Sequence, residues 1–285
     1  MEARTIDIHP HIIADDEAKY PRMPLFGVQS DWSRTRPVTI ERLVAAMDEA
    51  GVDKAAIVQA STCYGFDNSY VADSMKRYPG RFTGVCSIDM LAPDAVEKLR
   101  FWQSRNFSGL RIFTGGSTAA FDPSKLEEPA SFPVWEAAAA LGMPICVQTD
   151  VTGLAAVKSL AARFPRAKII IDHLARPKIA DGPPYSAAAP LFTLAPCCNV
   201  YFKVTPRNFE ESALGKASPE TWFAKIVAEF GASRLAWGSN FPASEGGLGE
   251  NLRRGRATLA SLSAADQAMI FGGTAASLYP VLARG

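Results

Sequence analysis

Eight short apolar runs recur along the 285-residue chain, at 5–12, 54–62, 82–89, 107–115, 143–150, 168–175, 199–206 and 234–242. They begin roughly 33 residues apart on average, about the length of one strand plus a returning helix. The runs are rich in β-branched residues and largely apolar throughout, with little alternation of polar and apolar residues. That is how strands read when helices cover both faces of a parallel sheet. Amphipathic stretches at 40–51, 69–78, 95–105, 132–141, 153–164, 219–230 and 264–278 lie between or after them, and several stop at Gly or before Pro. The weakest helix signal falls between the sixth and seventh runs, where Gly182, Pro183, Pro184 and Pro190 interrupt the pattern. Strict alternation with eight strands predicts an α/β fold, a single (β/α)8 TIM-like barrel domain spanning residues 1–285. The competing architecture, an open doubly wound sheet, would place a glycine-rich phosphate loop after strand one, and the sequence has none there. The Gly115-Gly116 stretch after strand four does not match GxGxxG. The longest insertions, 13–39, 115–131 and 243–251, follow strands one, four and eight. In a barrel they would fall on the C-terminal rim, where such folds carry their chemistry.

Charge removes several classes of partner. Thirty Lys and Arg against 29 Asp and Glu leave a formal charge of +1 without basic or acidic blocks, so neither nucleic acid nor an anionic membrane is expected to bind. No apolar run approaches the ~18 residues of a membrane span, and no apolar h-region follows the charges of the first four residues, so a secretory signal is not expected. Five cysteines without a CxxC pair read as reduced thiols, and a cytoplasmic protein is expected.

The strand ends hold the polar residues with chemistry. Strand one ends in Asp7-Ile8-His9-Pro10-His11, and residues two apart on a strand point the same way, so His9 and His11 can converge on one point. The third and last histidine, His173, closes strand six directly after Asp172. Strand four offers Arg111, strand five Gln148, strand seven Lys203 followed by Arg207, and strand eight ends at Asn240. Two guanidinium groups among few acids point to a small anionic organic substrate, because Arg grips carboxylates through paired hydrogen bonds.

Together these segments resemble the amidohydrolase superfamily, in its branch of lactone hydrolases. The stretch 7–12 (DIHPHI) matches the family's strand-one DxHxH, 57–61 (IVQAS) its strand-two signature and 109–113 (GLRIF) its strand-four arginine. Residues 169–177 (IIIDHLARP) match its DHxxRP, and 235–242 (LAWGSNFP) its strand-eight WGTDWP. The resemblance implies that His9 and His11 bind either a divalent metal or the substrate, and that His173 polarises the scissile carbonyl. It further implies that Arg111 grips a substrate carboxylate, with Ser61 and Arg207 nearby in the pocket; Gln148 and Lys203, from their strand ends, and the loop residue Tyr20 are further expected substrate contacts. The chain departs from the pattern at Asn240, where the family has an Asp that activates water, and at Gln148, where a well-built metal centre has His. An amide accepts no proton near neutral pH, so either the Asn was introduced to trap a complex in an inactive enzyme or the base lies elsewhere, on His173 or a strand-one imidazole. No metal is expected to be required. If one binds, a single divalent ion such as zinc on His9, His11 and His173 is the expectation. Three functions remain open: hydrolysis of a small carboxylated lactone, metal-dependent decarboxylation of a related acid, and ligand binding without catalysis.

Overall fold

The computed structural model describes residues 4–284. Eight parallel strands follow one another in sequence order: β1 (Ile6–Asp7), β2 (Lys54–Val58), β3 (Phe82–Ser87), β4 (Phe107–Phe113), β5 (Ile145–Gln148), β6 (Ile169–Ile171), β7 (Val200–Val204) and β8 (Leu235–Trp237). Sequential order is the topology of a (β/α)8 barrel and excludes the doubly wound alternative, in which the order reverses at a switch point. The open side between β8 and β1 is bridged by the Ile8 amide donating to the Trp237 carbonyl at 3.3 Å and the His11 amide to the Phe241 carbonyl at 2.8 Å.

Side-chain parity divides the strands cleanly. Ile6, Ile8, Ala56, Val58, Val85, Cys146, Ile170 and Ala236 fill the barrel interior, closed at the bottom by Leu278, Tyr279 and Leu282 of the C-terminal segment. Their strand neighbours, among them Ile57, Leu110, Ile145, Ile169, Ile171, Phe202 and Trp237, face the helices. A continuous apolar run is thus two interleaved sets, each buried against a different layer. Counting upward by two from the interior set reaches Gln148 from Cys146 and Asp172 from Ile170, so the polar residues above them also point inward.

The helices follow the amphipathic stretches closely. Ile40–Ala50 is capped by Thr39, whose hydroxyl accepts from the Arg42 amide, and ends at Gly51 with a left-handed φ of 69°. Pro219–Phe230 has the bounds read from the sequence, with Ser218 as its cap. Two places differ. The stretch 264–278 is broken by a π-helical turn over Met269–Gly273. Inside the loop expected at 243–251 an additional helix, Leu248–Thr258, begins; it buries Leu248, Asn251, Leu252 and Gly255 at helical spacing, but of these four only the two leucines are large and apolar. Between β6 and β7 the prolines leave only the short turn-like helices Ser186–Ala188 and Ala189–Phe192. No helix among the described residues is long and apolar enough to cross a membrane.

Asp7 fastens the seam where the barrel closes. Its fully buried carboxylate accepts from the amides of His9 and Ser239, each at 2.9 Å, and from the Ser239 hydroxyl. Burial pushes its carboxyl up from the ordinary range, and the three donors from Ser239 and His9 oppose that rise. Next to this seam Gly238 has no room for a side chain, since a Cβ there would lie 2.6 Å from the Cβ of His9. Gly238→Ala is therefore expected to destabilise the fold by about 1–3 kcal/mol in urea denaturation and to displace His9.

Candidate active site

Four inward-facing charged or amide groups form a buried polar floor. Arg111 donates through Nε to Asp172 Oδ2 at 3.0 Å and through Nη2 to Gln148 Oε1 at 3.0 Å. Lys203 Nζ lies 3.0 Å from Asp172 Oδ1, and both residues are fully buried. Asp172 thus carries one negative charge against two cations. Burial alone would raise its carboxyl, yet Lys203 and Arg111 hold it well below the usual carboxylate range, so it stays ionised.

The three imidazoles stand against this floor. Ring centroids of His9 and His11 are 5.1 Å apart and those of His9 and His173 are 5.0 Å apart. His9 Nδ1 comes within 3.8 Å of Asp172 Oδ1, beyond hydrogen-bond reach, and neither nitrogen of its buried ring has a hydrogen-bond partner among the described residues. His11 bonds through Nδ1 to the Val58 carbonyl at 2.8 Å, and its ring stacks on Trp32 at 5.1 Å. His173 bonds through Nδ1 to the Thr205 hydroxyl at 2.8 Å. Burial, reinforced by the Arg111 guanidinium, pushes the His11 imidazole down to about 3. Burial likewise drives His9 and His173 well below their ordinary value, with Lys203 the next cause for His9 and Arg176 among those for His173. All three rings are neutral at pH 7.

Above them opens a cavity of about 160 Å³ lined by His11, Trp32, Ser61, Arg111, Phe113, Gln148, His173, Arg176, Arg207 and Asn240, with smaller groups completing the wall. Three guanidinium groups and no carboxylate face it. Arg111 is 5% exposed, whereas Arg207 is exposed and also pairs with Glu211 at 3.0 Å. Ser61, which lines the cavity, shares a hydrogen bond with Ser87 at 2.9 Å. Asn240 donates one N–H to the Ser244 hydroxyl at 3.0 Å, which leaves its second N–H as a donor and its amide oxygen as an acceptor.

Two of the expected substrate contacts lie elsewhere. Lys203 is 0% exposed, beneath the cavity, because its ammonium is consumed by Asp172. Tyr20 lines a different depression, where its hydroxyl donates to Asp73 at 2.9 Å and its ring packs on Tyr70. Arg176, Thr205 and Asn208 had no role assigned from the sequence. Arg176 was visible in the DHLARP motif. Thr205 and Asn208 had a local signal, a Thr before Pro with a polar residue three positions later, which is how a capped helix begins. The helix Pro206–Glu211 does begin there, with Thr205 and Asn208 forming a reciprocal cap.

His173 and Arg176 owe their placement to unusual backbone. Residues His173, Leu174, Ala175 and Arg176 all adopt positive φ, between 53° and 58°, one turn of left-handed helix without a glycine. Such a conformation costs about 1–2 kcal/mol per residue, so the surroundings must hold it. The Arg176 amide closes the turn on the His173 carbonyl at 3.0 Å, and Asn208 Nδ2 donates to the same carbonyl at 2.9 Å.

A divalent ion fits this donor set poorly. No cluster of three or more His, Cys, Asp and Glu among the described residues is arranged to hold a metal. Asp172, whose carboxylate lies 3.8 Å from His9 Nδ1, is already neutralised by Arg111 and Lys203. A dication there would sit beside those two cations with only neutral ligands.

A buried cationic mouth at the C-terminal ends of eight parallel strands defines this chain as a barrel enzyme. The amidohydrolase family model matches residues 6–281, and the chain belongs to that family as a hydrolase. It is 27% identical over 243 residues to an L-fucono-1,5-lactonase of Burkholderia ambifaria, covering 84% of this chain and 80% of that protein. It is 26% identical over 215 residues to a 2-pyrone-4,6-dicarboxylate hydrolase of Comamonas testosteroni, covering 70% of this chain and 66% of that one. A solved structure from Pseudomonas putida, described as a "putative 2-pyrone-4,6-dicarboxylic acid hydrolase", superposes with a TM-score of 0.78 at 21% identity, covering 99% of each chain.

Replacing Asp172 would strand two buried cations. Asp172→Asn is expected to lower the unfolding free energy by about 3–5 kcal/mol, measured by urea denaturation at pH 7.

Proposed function

We propose that the protein opens the ring of a small lactone carrying at least one carboxylate, with water as the nucleophile and no resident metal. The observation that carries this reading is the composition of the cavity wall: three guanidinium groups, no carboxylate, and neutral imidazoles below. An anion is the ligand such a wall selects, since each guanidinium can form charge-assisted paired bonds with a carboxylate. The names of the relatives, a lactonase and a hydrolase of a dicarboxylate, support a cyclic ester of the same kind.

In this reading Arg176 and Arg207 hold the carboxylate. Arg111, with two donors committed to the floor, offers its remaining N–H groups to the charge that grows on the carbonyl oxygen. Ser61 and the free amide hydrogens of Gln148 orient the ring. Water adds to the carbonyl carbon, the ring C–O bond breaks, and the alkoxide takes up the proton that the water gave. With Asn240 unable to accept that proton, the imidazoles are the bases that line or underlie the cavity.

A screen of lactones, with and without carboxylates, tests the reading on the purified protein. Turnover is expected only with carboxylated lactones and unchanged by a chelator. Arg176→Ala is expected to lower kcat/KM about 10–100-fold on such substrates, the loss for one charged hydrogen-bonding contact. Equal turnover of carboxylated and uncarboxylated lactones by both forms would defeat the assignment.

A further inference from the structure

The hydrogen-bond chain behind His173 starts from two partners of fixed direction. Asn208 Nδ2 donates to the His173 carbonyl at 2.9 Å, and a carbonyl only accepts. Asn208 Oδ1 accepts from the Thr205 amide at 3.0 Å, and an amide N–H only donates. Two one-way partners therefore set the orientation of the Asn208 side chain. The same Oδ1 lies 3.1 Å from the Thr205 hydroxyl, which must donate to it. The hydroxyl has one proton for these two contacts, and directing it at Asn208 Oδ1 leaves Thr205 Oγ1 to accept from His173 Nδ1 at 2.8 Å.

We infer that Thr205 and Asn208 are positioning residues that hold neutral His173 with its proton on Nδ1, so that Nε2 presents a lone pair to the attacking water. This rests on the hydrolase reading above and supplies the base that Asn240 cannot be. Nε2 takes one proton from water as the water oxygen bonds to the carbonyl carbon. The resulting imidazolium returns that proton to the ring oxygen as the C–O bond breaks, and the imidazole is regenerated. A ring fixed in this tautomer cannot donate to the substrate carbonyl before it has accepted a proton. His173 is thereby separated from the polarising role that the family resemblance implied. The anchoring is strong at both ends, because Asn208 also grips the carbonyl of the left-handed turn that carries the ring. His11 has the same polarity through the Val58 carbonyl, but its bond runs to a backbone acceptor that no side-chain substitution removes. His173 is the ring whose tautomer the sequence can alter.

The test reads tautomer and turnover separately. The chain has three histidines, so ¹⁵N-detected spectra of imidazole-labelled protein hold three rings, and His173→Asn identifies the signal that belongs to His173. In the unaltered protein that ring is expected to be protonated on Nδ1. In Asn208→Ala the Thr205 hydroxyl is freed to donate, and a population protonated on Nε2 is expected to appear. Thr205→Val is expected to lower kcat by about 10²-fold with KM changed less than about threefold, and Thr205→Ser to restore kcat. A His173 ring protonated on Nε2 in the unaltered protein overturns the inference, as does a Thr205→Val enzyme with normal kcat. Failure to hydrolyse any carboxylated lactone would instead count against the hydrolase reading, while the spectrum still decides the tautomer.

Discussion

The buried carboxylate of Asp172, held between Arg111 and Lys203, is the interaction on which the site depends. It joins β4 and β7 to the end of β6 at the level where the barrel interior changes from apolar to polar. Below it the interior is filled by aliphatic side chains and Tyr279. Above it stand the imidazoles and the open mouth. Two cations on one carboxylate leave a net positive charge in a low-dielectric place, which would be unfavourable in a purely structural cluster. The excess is usable, because it extends through Arg111 to the cavity wall and adds to Arg176 and Arg207.

That surplus also governs the imidazoles. Packed among cations and out of water, they are held neutral, so they enter a reaction as proton acceptors or as ligands and not as resident charges. The same electrostatics works against a divalent ion and for an anionic substrate. A carboxylate bound to the guanidinium groups would offset the positive field that suppresses protonation of His173, coupling substrate recognition to the basicity of the ring.

Geometry at this site is held by backbone as much as by side chains. The left-handed turn from His173 to Arg176 puts an imidazole and a guanidinium from one short segment on the same wall, and Asn208 secures it from the start of the next helix. At the closing seam, Asp7 performs a similar task, drawing the amides of His9 and Ser239 onto one carboxylate. Both devices place polar backbone where a regular strand would have ended its hydrogen bonding.

The sequence by itself determined the barrel and most of the mouth. Apolar runs at a spacing near one βα unit can be buried only as a parallel sheet wrapped in helices, and parity along each strand decides which residues point inward. His11, Arg111, Gln148 and His173 were legible because they end such runs, as does His9, whose ring lies fully buried below the cavity. Lys203 obeyed the same parity, yet it sits beneath the cavity, since only the three-dimensional position of Asp172 shows where its charge is spent. Tyr20 lay on a loop, whose course no periodicity constrains. Arg176 needed the left-handed turn to reach the wall, and Thr205 and Asn208 needed the packing of β7 against the end of β6 to meet His173. Periodic patterns fix which face a side chain takes, because strand and helix geometry repeat. The partner of a polar group depends on contacts between distant segments, and those exist only once the barrel has closed.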